Sequence, residues 1–112
     1  MTVIYLPKVR KYFENLVPLL YEQGYFSYKE SAQKYVDDLF DNISGNLPTR
    51  LHKPAPKYFD KYGKSMKYAI FKKNKNTSWY AFFKTYEMNG ERIFLVRYVG
   101  NNHVVAQHLT GD

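Results

Sequence analysis

The chain contains no cysteine. That excludes a disulfide framework, thiolate nucleophiles and zinc held by sulfur, and it fits a reducing compartment. No apolar run approaches the roughly 18 residues needed to span a bilayer. The opening residues, Met1-Thr2-Val3-Ile4-Tyr5-Leu6-Pro7, have neither the basic region nor the long apolar stretch of a secretory signal. A soluble, cytoplasmic protein without a membrane partner is expected. There is no P-loop, no dinucleotide fingerprint and no Gly-x-Ser-x-Gly turn, so nucleotide hydrolysis and serine hydrolysis have no support and no cofactor is expected. No carboxylate pair stands out, since Glu87 and Glu91 flank a predicted turn. The only histidines, His52, His103 and His108, do not have metal-ligand spacing, so no metal site is expected.

Acidic residues are scarce where basic ones are dense. Of the 38 residues from Thr49 to Tyr86, ten are Lys or Arg and one, Asp60, is acidic. That stretch carries +9 against +7 for the whole chain, while the first 48 residues sum to −1. Charge confined to one part of a small domain creates a field that attracts phosphates and acidic partners. Aromatics run through the same stretch, from Tyr58 to Tyr86, and the chain holds 12 Tyr and 8 Phe. Lys beside aromatic rings suits nucleic acid, with cations on phosphates and rings on bases. It equally suits a solvated basic face over an aromatic core.

A chain of 112 residues is expected to form one domain over residues 1–112. Val3-Ile4-Tyr5 reads as a brief strand ended by Pro7. Val9, Tyr12, Phe13, Leu16, Val17, Leu20 and Tyr21 fall at helical spacing. Pro18 should kink or break that helix and Gly24 should close it. Ser27 and Glu30 form a capping-box pattern for a second helix. Its stripe is Tyr28, Ala32, Tyr35, Val36, Leu39, Phe40 and Ile43, and Gly45 is its expected end. The connector from Asn46 to about Gly63 carries Pro48, Pro54 and Pro56. The period then becomes two. Met66 to Phe71, Trp79 to Glu87 and Arg92 to Val99 read as strands, with a hairpin at Asn89-Gly90. Gly100-Asn101-Asn102 reads as a turn and His103 to Leu109 as a short last strand. The expected fold class is α+β: a short N-terminal strand and two helices packed on one face of an antiparallel sheet of three to four strands.

Strand alternation puts Ile93, Leu95, Arg97 and Val99 on one face, with Phe94, Val96 and Tyr98 on the other. Arg97 among apolar neighbours needs either a carboxylate, with Glu87 in reach, or a place where its face opens to a cleft. Lys84, Arg97 and one histidine could meet on the sheet. Such a group can cleave RNA without metal: a base takes the 2′-OH proton, cations hold the phosphate charge and an acid protonates the leaving oxygen.

The order β-α-α-β-β-β resembles the RelE/ParE toxin superfamily of bacterial toxin–antitoxin pairs. So do Trp79-Tyr80-Ala81-Phe82-Phe83 and Phe94-Leu95-Val96-Arg97-Tyr98-Val99-Gly100. The resemblance implies a RelE-like mRNA endoribonuclease acting by metal-free acid/base chemistry. Its alternative is a non-catalytic binder, either a ParE-like gyrase inhibitor or a basic nucleic-acid- or protein-binding module. Under the first reading His108 and His103 stand near the family's C-terminal Tyr or His. Arg97 and Lys84 complete the catalytic group, while Lys67, Lys73 and Tyr80 bind RNA. The sequence departs from the family pattern at Asn101-Asn102, which has no Arg, and at Tyr80, where many members carry Arg. Implied partners are RNA or ribosome-bound mRNA and a cognate antitoxin, whose acidic or amphipathic segment would wrap the basic sheet.

Overall fold

A computed structural model describes residues 1–109 as an α+β protein built on one mixed sheet. Strand β1 (Thr2–Tyr5) leads into helix α1 (Pro7–Glu22), which is followed by α2 (Lys29–Asn46). A 3-10 turn, Leu47–Thr49, precedes the two-residue strand β2 (Lys53–Pro54) and a 3-10 helix, Lys57–Tyr62. Strands β3 (Lys67–Asn74), β4 (Thr77–Met88) and β5 (Glu91–Asn101) form a meander. The chain then turns helical in α3 (Asn102–Val105) and a 3-10 turn, Ala106–His108.

The sheet order is β1-β5-β4-β3-β2. All neighbours are antiparallel except β1 and β5, which run parallel with Thr2 opposite Ile93 and Tyr5 opposite Val96. The expected all-antiparallel sheet of three to four strands is therefore a five-stranded mixed one. The reason is directional. The α1–α2 hairpin and the long connector return the chain to its starting end, so β3 and β5 run the same way as β1.

Helix α1 continues through Pro18, contrary to the expected kink or break. Burial of Val9, Phe13, Leu16 and Val17 holds the turns on either side of the proline. Gly24 does close the helix region. It sits at φ 81°, its N–H donates to the Tyr21 carbonyl, and Tyr25 N–H donates to Leu20, the paired bonds of a Schellman motif. The Ser27 cap does not form. Helix α2 starts at Lys29, with Tyr28 at its N-cap and no side-chain cap. The Phe26 ring packs on Tyr35, 5.4 Å between centroids, and this contact fixes the entry of the chain. At the other end α2 passes Gly45, because fully buried Leu47 draws the chain on for a further turn.

Asn89 and Gly90 take φ 52° and 77° between Met88 and Glu91. That is the type I′ hairpin their sequence predicts. The long helices α1 and α2 cover only one face of the sheet, but the other face is also buried, under short helical segments. Ala69, Phe71, Trp79, Ala81, Phe83, Phe94, Val96 and Val99 meet α1 and α2. On the opposite face Met66, Tyr68, Tyr80 and Phe82 are covered by Phe59 and Val105, with Tyr62, Tyr98 and Leu109 around them. The C-terminal segment expected as a strand is thus a helical lid. The Asn101 side chain caps it by accepting from the N–H groups of His103 and Val104. Asn102 ties it to the β3–β4 turn through Ser78 N–H and the Asn76 carbonyl.

Burial pushes the Tyr5 and Tyr12 hydroxyls up to about 12, and Tyr98 likewise. The folded protein keeps these protons where the unfolded chain releases them. Their contribution to stability should therefore be constant below pH 10 and fall as pH rises from 10 to about 12. Melting temperatures across that interval, followed alongside tyrosinate absorbance, test this. Ionisation of all 12 tyrosines near pH 10 in the still-folded protein would refute it.

Candidate functional site

The residue that organises the site is Arg97, and a β-bulge places it. Phe82 pairs with Tyr98 but Phe83 pairs with Val96, leaving Arg97 as the extra residue of β5. The bulge reverses side-chain parity along the strand. Phe94 and Val96 face the helices together with Val99, while Tyr98 joins the opposite core. The expected grouping of Arg97 with Val99, and of Tyr98 with Phe94 and Val96, does not hold beyond this point.

Arg97 is half-buried, and its Nε donates to the Tyr62 carbonyl at 2.6 Å. It does not reach Glu87, which pairs instead with Arg92 at 2.9 Å. Among the described residues Arg97 has no carboxylate partner. No buried side-chain polar atom among them lacks a partner, so the free Nη groups of Arg97 touch solvent. Arg97 is also one of the residues that line a cleft of about 260 Å³, with Lys8, Val9, Tyr12, Tyr62, Tyr98 and Val104. Of the two alternatives for Arg97, the cleft is the one realised. It exists because β1 pairs with β5 only as far as Val96, after which α1 turns away and leaves that half of the β5 edge without a neighbouring strand.

The cleft walls are tyrosines. Tyr62 and Tyr98 stack at 4.1 Å and 9°, and Lys8 Nζ lies 5.7 Å from the centre of the Tyr62 ring. Burial, with Tyr62 beside it, holds the Tyr98 hydroxyl protonated, and burial does the same for Tyr12. Both can donate hydrogen bonds at neutral pH, and neither can serve as a base. Gly63 packs directly on Arg97. A Cβ there would lie 2.7 Å from Nε and 2.9 Å from Cδ. Gly63→Ala is therefore expected to displace the guanidinium and, because its φ of 158° strains a residue with a Cβ and the new methyl also presses on Met66, to lower the melting temperature somewhat. The loss of Arg97-dependent binding, compared with the melting temperature, checks this.

A second basic hollow, of about 380 Å³, is lined by His52, Ser65, Lys67, Lys84 and Arg92, with the rings of Phe83 and Phe94. Lys67 and Arg92 share the sheet face of Phe83 and Phe94, whereas Lys84, between Phe83 and Thr85 on β4, points to the opposite face, so Lys67 and Lys84 are not brought together and both stand apart from Arg97. Lys73 is elsewhere again, its Nζ 4.6 Å from the centre of the Tyr35 ring. Tyr80 is only 9% exposed and packs in the aromatic core near Tyr68, so its ring offers no open face to a base. His103 is exposed on α3, whose Val104 lines the Arg97 cleft. His108 lies flat on Tyr58, 3.6 Å between centroids at 3°. The expected meeting of Lys84, Arg97 and a histidine on the sheet is not formed: Arg97 lines one cavity, Lys84 another, and no histidine lines the Arg97 cleft.

Sequence reasoning missed Tyr12, Tyr62 and Lys8 as lining the same cleft as Arg97, and His52 as lining the same hollow as Lys67. The pairs are far apart in sequence, and no local pattern marks them. Among the described residues no three His, Asp or Glu side chains form a metal-ligand set, and no helix is long and apolar enough to cross a membrane. No protein-family model, curated protein or solved structure matches the chain.

Proposed function

We propose that the protein is a RelE/ParE-type toxin that engages RNA without a metal ion, through the Arg97 cleft. The observation that carries this reading is a half-buried arginine, free of any carboxylate among the described residues, in a tyrosine-walled cleft at the open half of β5. A guanidinium so placed is suited to a phosphate, which its free Nη groups can meet side-on. Desolvation by the aromatic walls strengthens that attraction. Only Lys34 and Arg92 of the 17 Lys and Arg side chains pair with a carboxylate among the described residues. The remaining positive charge is free to draw a polyanion toward the cleft.

In the catalytic form of this reading Arg97 holds the scissile phosphate. A base removes the 2′-OH proton, the 2′ oxygen attacks phosphorus and the bond to the 5′ oxygen breaks. The products are a cyclic phosphate and a 5′-hydroxyl. Tyr98 or Tyr12 gives the proton to the leaving oxygen, as their protonated state permits. His103, exposed beside Val104, is the base. His108, held against Tyr58, supports the lid, and Lys84 lies outside the centre. An mRNA on the ribosome is the substrate, and a cognate antitoxin with an acidic segment is the partner. A non-catalytic binder, acting on gyrase or on nucleic acid, is favoured by one observation: no histidine lines the cleft.

Expression in bacteria without the neighbouring gene separates the readings. Growth arrest by the wild type, relieved by Arg97→Ala and by His103→Ala, supports the nuclease. Relief by Arg97→Ala alone, with RNA left intact, supports the binder. A folded Arg97→Ala variant as toxic as wild type removes the cleft from either account.

A further inference from the structure

The short helical segments roof the sheet face away from α1 and α2 over Tyr68, Tyr80 and Phe82. Toward the Asn89-Gly90 turn the same face is bare and apolar. Strand alternation there sets Lys84, Tyr86 and Met88 of β4 beside Leu95, Ile93 and Glu91 of β5, and Ile4 of β1 beside Leu95. Ile4, Tyr86 and Met88 are 43%, 45% and 62% exposed, and Ile93 and Leu95 are partly exposed. Contiguous exposed apolar surface rimmed by charge marks an interaction site. The side-chain charges of this surface stand at its two ends. Lys84 is two residues from roofed Phe82, and Glu91 is at the hairpin tip. Lys84 makes no ion pair among the described residues. Glu91 meets the N-terminal ammonium and the Thr2 hydroxyl through Oε2, each at 3.0 Å, and its Oε1 has no partner among those residues.

We propose that this bare half-face docks on the same half-face of a second copy of the chain, about a two-fold axis that lies between the two sheets and crosses their strands. Such an axis reverses strand direction. It therefore sets Lys84 of each copy against Glu91 of the other and brings the two Tyr86–Ile93 pairs together at the centre. Stacked sheets lie about 10 Å apart, which is also the diameter of a helix. The roof of each copy thus fits beyond the hairpin tip of the other, level with its sheet. A chain of net charge +7 repels its copies over most of its surface. Here one lysine and one carboxylate stand at opposite ends, and the two-fold joins them; a polyanion would find apolar surface and a carboxylate. Three strands by five residues present roughly 250 Å² per copy in projection. That is a small interface, so the dimer is weak and exchanges readily. The Arg97 cleft stays open, and the proposal does not rest on the RNA reading.

The test is sedimentation of the nuclease-treated full chain from about 1 µM to about 1 mM, a range that brackets weak association. A reversible monomer–dimer equilibrium is expected. Tyr86→Lys should leave a folded monomer at every concentration, and Arg97→Ala should dimerise like wild type. Lys84→Glu and Glu91→Lys should each weaken the dimer at least about tenfold, because each sets like charges face to face at both ends. An equimolar mixture of those two variants should regain dimer, since every end contact between them again joins opposite charges. Only a two-fold that exchanges the ends of the patch predicts this recovery. The proposal is overturned by a wild-type chain that stays monomeric throughout. It is equally overturned if folded Tyr86→Lys dimerises like wild type, if the mixture associates no better than its components, or if the complex disappears on nuclease treatment and so was bridged by nucleic acid.

Discussion

Arg97→Ala should lower RNA cleavage by about 10²–10³-fold, the usual cost of removing one preorganised donor from a developing oxyanion. If the protein only binds, the same substitution should weaken RNA or partner binding by one to two orders of magnitude. The structural cost is small by comparison. The Nε bond to the Tyr62 carbonyl is worth about 1 kcal/mol, so the variant should remain folded. Arg97→Lys keeps the charge but loses the planar fork, and activity between alanine and wild type is expected. Cleavage or binding measured beside thermal melting of all three proteins decides the matter. Wild-type function in a folded Arg97→Ala protein would leave the cleft without a role.

The largest effect on stability is expected from Phe82→Ala. Phe82 is fully buried on the sheet face away from α1 and α2. Its ring stacks on Phe59 at 4.3 Å and contacts Tyr68 at 5.1 Å and Tyr98 at 5.7 Å. Phe59 belongs to the Lys57–Tyr62 helix, and Val105 completes the same cluster from α3. The phenyl ring therefore joins the two short helical segments that roof this face. Removing it should cost about 3–5 kcal/mol and lower the melting temperature by roughly 10–20 °C. Because Tyr98 is a neighbour, the Arg97 cleft should loosen as well. A loss below about 1 kcal/mol in chemical denaturation would mean that this second core contributes little.

The two substitutions distinguish a charged group that acts on a ligand from an aromatic that holds the layers together. Gly63→Ala lies between them, since it moves the guanidinium without removing it. A binding loss in Gly63→Ala comparable with that in Arg97→Ala would show that the position of the charge matters as much as its presence.

The elements that could be read in the sequence are those whose cause is local. The period-3.6 stripes of α1 and α2, the period-two runs of β3 to β5 and the Asn89-Gly90 turn each depend on residues within a few positions of one another. Arg97 stood out for the same reason, as a cation in an apolar strand, and the cleft was one of its two foreseen surroundings. The C-terminal segment was misread because Val104, Val105 and Leu109 look like a strand by propensity. The Asn101 cap, the Asn102 tie to the β3–β4 turn and the burial of Val105 against the sheet make it helical instead. Pro18 was misread because its cost is local, whereas the packing that outweighs it comes from across the core.

The amino-acid order alone determined the α+β class, the hairpin register at its turn, and the concentration of positive charge from Thr49 onward. It could not determine where that charge converges. A single extra residue opposite the Phe82–Phe83 step changes which way every later side chain of β5 points, and such a bulge is selected by the fit of two sheet faces to their covers. The same fit parts Arg97 from Lys67 and Lys84, seats His52 against Phe83 in the hollow that Lys67 lines, and buries Tyr80. Contacts between distant segments form only when the whole core closes, so tertiary structure decided which cations share a cavity.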